Sequence, residues 1–179
     1  PITVDWWVDS KGNVLAREDF SSEKDYHKIY AYDGRDAREI YRHDGKFMQF
    51  GVAGVADDEQ ALLLVDDRGN DEAIYKMALA DGKITGPFFA RDGREVHYMD
   101  TDLNRKLVAV AYTGLRPEFE FMDPRIAAVH ERIGNAFASS TVTYTTSTSD
   151  MDTHLFRVSG GDRGVVVVRA QGSPPKLSI

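Results

Sequence analysis

One strand-and-turn pattern returns four times along the chain, and that return limits the fold more than any single segment does. A strand opens at Val14, Leu62, Leu107 and Leu155, each just after a polar turn. The turns hold Gly12-Asn13, Asp57-Asp58-Glu59, Asp102-Leu103-Asn104 and Asp150-Met151-Asp152. The steps between these positions are about 48, 45 and 48 residues, within the range of propeller and solenoid repeats. A second marker keeps the same step: Ile29, Ile74, Phe119 and Val166 lie about 45, 45 and 47 residues apart. Together they set copies at about 4–45, 46–94, 95–137 and 138–179. A copy of this size buries its apolar faces only against its neighbours.

Inside each copy the period is two. Alternation, or β-branched and aromatic runs, marks strands near 4–9, 13–19, 28–33, 50–55, 61–66, 73–79, 96–100, 106–112, 118–122, 141–146, 154–158 and 165–170. Turn residues separate them at Asp33-Gly34, Arg68-Gly69-Asn70, Asp81-Gly82, Asp92-Gly93 and Gly160-Gly161. With about four short strands per copy, the expected fold is all-β: one partial β-propeller domain over 1–179, made of about four antiparallel four-stranded blades. The inward residues expected are Leu62, Leu64, Ile74, Val108, Val110, Phe119, Phe121, Leu155 and Val166. One segment departs from the pattern. In DPRIAAVHERIGNAF, Ile126, Val129 and Ile133 have helical spacing, Asp123 is placed to cap, Pro124 suits the first turn and Gly134 suits a stop. A short helix near 124–133 is expected there, on a sheet surface.

Composition removes several functions. A formal net charge of −7 has the wrong sign for a phosphate-binding surface, so no nucleic-acid partner is expected. No apolar run nears the roughly 20 residues that a membrane helix needs. The absence of cysteine rules out disulfides, thiolate metal sites and a cysteine nucleophile. A soluble protein, cytoplasmic or periplasmic, is expected. The opening Pro1-Ile2-Thr3-Val4, with neither initiator Met nor leader, reads as a processed or excised piece.

Candidate chemistry is sparse. No G-x-S-x-G elbow occurs, and Ser173 precedes two prolines that forbid the helix such an elbow needs. His27, His43, His97, His130 and His154 are scattered over the copies and read as surface or strand-end imidazoles. His130-Glu131 lacks the second His of H-E-x-x-H. Asp100-Thr101-Asp102-Leu103-Asn104 imitates the start of a calcium loop, but Arg105 and Ala111 stand where its glycine and bidentate Glu belong, so a solvated turn is expected. Asp66 to Glu72 reads as a polar loop. Of Trp6 and Trp7, one is expected to face the core, although the pair also suits a stacking platform. No catalytic, cofactor or metal residue is assigned, and the chain is expected not to be an enzyme by itself.

The runs VDWWVDSKGNVLAREDF, KIYAYDGRDAREIY and LLLVDDRGNDEAIYKMALADGKITGPFF, with the DPRIAAVHERIGNAF helix, resemble the N-terminal β-propeller of bacterial prolyl oligopeptidase-family serine peptidases, the acylaminoacyl-peptidase and dipeptidyl-aminopeptidase-like branch. The resemblance spans essentially the whole chain and rests on repeat patterns without catalytic residues. It implies a propeller of about seven or eight blades capping a C-terminal α/β-hydrolase domain, and a role in admitting short peptides while excluding folded proteins. That hydrolase domain has no counterpart in these residues, so no catalytic residue carries over. The implied partners are the parent's hydrolase domain and peptide substrates. Unclosed terminal blades also imply a homodimer, with Val4, Trp6, Val166 and Val168 near the contact. The alternative is a stand-alone propeller-like module that binds protein partners.

Overall fold

The computed structural model describes residues 2–69, 71–150, 152–160, 165–171 and 176–179, with the backbone alone for Val165 and Val166. Among them the chain is mostly strand, arranged as four antiparallel sheets with one helix. Each sheet is a simple meander of consecutive strands, and each corresponds to one repeat copy. The first holds β1 (Thr3–Val8), β2 (Val14–Ser21), β3 (Tyr26–Asp33) and β4 (Asp36–Asp44). The second holds β5 (Gly51–Val55), β6 (Ala61–Asp66), β7 (Ala73–Ala78) and β8 (Ile84–Phe89). The third holds β9 (Val96–Thr101), β10 (Leu107–Tyr112) and β11 (Glu118–Phe121), followed by α1 (Pro124–Ala136). The fourth holds β12 (Thr141–Ser147), β13 (Thr153–Ser159), β14 (Val165–Gln171) and β15 (Lys176–Ser178).

The two repeat markers fall on equivalent strands. Val14, Leu62, Leu107 and Leu155 lie at or near the start of the second strand of their sheets, and Ile29, Ile74, Phe119 and Val166 lie on the third. All twelve strands expected from the sequence are present. The third sheet, however, has three described strands, not four, because Asp123-Pro124 starts a helix where a fourth strand would run. Asp123 has extended dihedrals (φ −99°, ψ 117°), and its carboxylate accepts from the Arg125 N–H at 2.8 Å. Ile126, Val129 and Ile133 are buried, as their spacing demands. The helix passes Gly134, the expected stop, and ends at Phe137, whose N–H donates to the Ile133 and Gly134 carbonyls. Gly134 is absent from the glycines with positive φ, so it does not form the left-handed cap that ends a helix at glycine.

The chain divides into two compact units, residues 1–96 with 104–106, and residues 97–103 with 107–179. In the first, Trp7, Ile29, Phe50, Leu62, Leu64 and Met77 from both its sheets form one core. In the second, the buried helix residues meet Val108, Tyr144, Phe156 and Val168. Leu62, Leu64, Ile74, Val108 and Val110 are buried as expected. Phe119, Phe121 and Leu155 are only half-buried. A register shift between Tyr144 and Thr146, opposite Leu155, leaves Phe156 and Val158 as the buried residues of β13. Val168, expected at a contact surface, is instead 2% exposed and pairs across the sheet with Phe156. The Val166 side chain lies outside the described residues, as do Asn70, Met151, Gly161 and Ser173.

Candidate functional site

In the first unit the buried polar groups are built into the framework. Glu18 and Asp19 on β2 and His27 on β3 are at most 3% exposed. His27 Nε2 stands 2.8 Å from Glu18 Oε1, and the imidazole is ringed by Phe20, Tyr41 and Phe50. Asp19 pairs with Arg17 at 3.0 Å and accepts from the Thr3 hydroxyl. Asp66 closes β6 with an ion pair to Arg68 and accepts the Arg68 N–H. A cleft of about 440 Å³ beside it is lined in part by Asp67, Glu72 and Glu95. Burial, and then the charges of Glu95 and Asp67, push the Glu72 carboxyl upward.

The second unit holds a different kind of cluster. Alternation along β9 puts Tyr98 and Asp100 on the same face. Tyr98 packs edge-on against Phe119 (5.9 Å between centroids), which stacks on Phe121 at 5.7 Å. Phe121 contacts Tyr144 of β12 at 6.2 Å, and Tyr144 contacts His154 of β13 at 6.3 Å. His130 of α1 lies between the rings of Phe119 and Phe121 and donates from Nε2 to the Val142 carbonyl at 3.0 Å. The rings thus form a wall running from β9 to β13, with a carboxylate near one end. Tyr98 Oη, Asp100 Oδ2 and Tyr144 Oη are buried without a hydrogen-bond partner, although Tyr144 is only 3% exposed.

Burial lifts the Asp100 carboxyl to about 6. Tyr98 rises to about 12, through burial first and then the charge of Asp100, eased by nearby Thr143. Tyr144 is also raised by burial and by Asp100 and Asp102, with Ser147 easing the shift. Burial lowers His130, against the pull of the Val142 carbonyl. Near neutral pH both phenols keep their protons, His130 is uncharged, and Asp100 is the group poised to change charge.

Several sequence expectations meet this geometry directly. Trp7 is 3% exposed and Trp6 is 44% exposed, so one of the pair does face the core. Trp6 packs on Tyr32, with the Arg17 guanidinium over its ring. His97 is exposed and His43 half-exposed, but His27 is a strand-end residue sealed in the interior, and His130 and His154 are largely covered. The acidic run divides: Asp102 to Asn104 form the turn, while Asp100 belongs to β9 and is partly buried. Its membership of one face with Tyr98 was the available signal, and the resemblance of the run to a calcium loop obscured it. Arg105, at a positive φ of 59°, leaves that turn to pair with Asp5 at 2.5 Å and to cover the Trp7 ring. No family model and no curated protein matches the chain.

Proposed function

We propose that the chain is a run of about four consecutive β-propeller blades from a prolyl oligopeptidase-family serine peptidase, serving to select short peptides for a hydrolase domain elsewhere in the parent protein. The observation that carries this reading is the match between repeat and fold: four sequence copies, four meander sheets, with both markers on equivalent strands. Two features accompany it. In the second and third copies the second strand is buried nearly throughout, at Leu62 to Leu64 and at Val108 to Tyr112. In the first and last copies that strand keeps partly or fully exposed arginines, Arg17 and Arg157, between buried residues. Interior members of a row of stacked sheets need two apolar faces, and terminal members need one. The hydrogen bonds of His27 and His130 go to a carboxylate and a backbone carbonyl, so neither serves as the base of a serine nucleophile.

The reading is tested by the coding sequence beyond Ile179. Continuation through further copies of the same length into a G-x-S-x-G elbow supports the peptidase. A stop codon there favours the alternative, a stand-alone module that binds protein partners.

A further inference from the structure

We infer that Asp100, Tyr98 and Tyr144 form a binding site for a primary ammonium group, walled by Phe119 and Phe121. Three polar atoms of the second unit, Asp100 Oδ2, Tyr98 Oη and Tyr144 Oη, are buried and have no hydrogen-bond partner. Leaving such groups unpaired is costly, so a set of three on one wall calls for a guest that pairs them together. The set is one carboxylate and two neutral phenols, each able to accept. A primary ammonium brings three N–H donors and no acceptor, matching three oxygens in number and in polarity. Asp100 supplies the opposite charge, and Asp102 lies close enough to act on Tyr144 and adds to the negative field. The ring chain from Tyr98 through Phe119 and Phe121 to Tyr144 offers π-faces that favour a cation.

Other guests fit less well. A divalent metal ion wants six or more oxygens and more charge than one carboxylate supplies, and no group of three or more metal-ligating side chains occurs among the described residues. An anion meets the charge of Asp100. A guanidinium presents five donors in a planar fork, more than three converging oxygens satisfy. The site lies wholly within the second unit and does not depend on the propeller reading.

The test is a titration of the whole chain, carrying ring-labelled tyrosine, with n-butylammonium chloride followed by NMR at pH 7.5. The Tyr98 and Tyr144 signals are assigned from Tyr98→Phe and Tyr144→Phe. The expected result is a saturable shift of both signals. Tetramethylammonium, with the same charge and no N–H, should bind at least about tenfold more weakly, because each lost hydrogen bond to a charged group is worth that much or more. Asp100→Asn should weaken butylammonium by a similar factor. If Asp100→Asn does not fold, judged by chemical-shift dispersion, Tyr144→Phe takes its place and should weaken binding several-fold while leaving the ring. No saturable shift, which means that ordered water alone meets these oxygens, would overturn the assignment. So would equal binding of tetramethylammonium, or full affinity in the variant that folds.

Discussion

Asp100 shows how one residue's burial becomes a property of the molecule. Its folded-state value of about 6 lies above the ordinary carboxylate value of 3.8, so the native state holds the proton more tightly than the unfolded chain. Stability therefore falls as pH rises between those two values, and above about 6 the cost of keeping the ionised group buried is complete. Asp100→Asn should be more stable than the parent at pH 7.5, by on the order of 1 kcal/mol once solvent screening is allowed for, and the difference should shrink toward pH 4. Thermal melts of both proteins across that range read it directly; a difference independent of pH would contradict the assignment. Two glycines give an opposed pair. Gly134 lies inside α1 with open space where a Cβ would go, so Gly134→Ala should stabilise by about 0.5–1 kcal/mol. Gly82 has a φ of 73°, and a Cβ there would stand 1.9 Å from the Ile40 carbonyl oxygen. Gly82→Ala should cost at least about 2 kcal/mol, measured by denaturant unfolding. From sequence alone both read as turn or stop glycines; only the backbone conformation separates them.

At the scale of the element, strands that own a buried face were legible and strands that borrow one were not. β6, with ALLLV, is buried at four consecutive positions, and β10 at five. Their apolar runs announce them. β4 (DAREIYRHD) is exposed or half-exposed throughout, β8 carries Gly86-Pro87, and β15 has three residues. All three are edge strands, held by hydrogen bonds to a neighbour and not by an apolar pattern of their own. The helix was legible at its start, where Asp123-Pro124 fixes the cap, and misjudged at its end, where Gly134 stays helical. The aromatic and carboxylate cluster was not legible, because β9, β11, β12, β13 and α1 each contribute one or two residues and the sequence gives no distance between them. Leu64, fully buried in β6 among Trp7, Tyr75 and Met77, tests the core itself. Leu64→Ala should lower unfolding free energy by about 2–5 kcal/mol, as large-to-small core changes do. A variant as stable as the parent would place Leu64 outside the core.

For the whole molecule, the exposed apolar side chains collect at one edge. Ile2, Val4, Trp6 and Val8 are 38–61% exposed along β1, the edge strand of the first sheet. An apolar ladder on an open edge favours association, and a net charge of −7 favours an ordered assembly over precipitation. Light scattering over a dilution series should show a dimer that dissociates on dilution, and Trp6→Lys should leave a monomer; a monomer at every concentration would contradict it. The central claim is that each sequence copy is one structural copy. Amide hydrogen exchange along the native chain measures this most directly. Four separate maxima of protection should appear, on β2–β3, β6–β7, β10–β11 and β13–β14, with faster exchange at β4, β8 and β15 and in the links near 45–50 and 90–95. A single protected block, or a copy with no slow amides, would contradict the fourfold account.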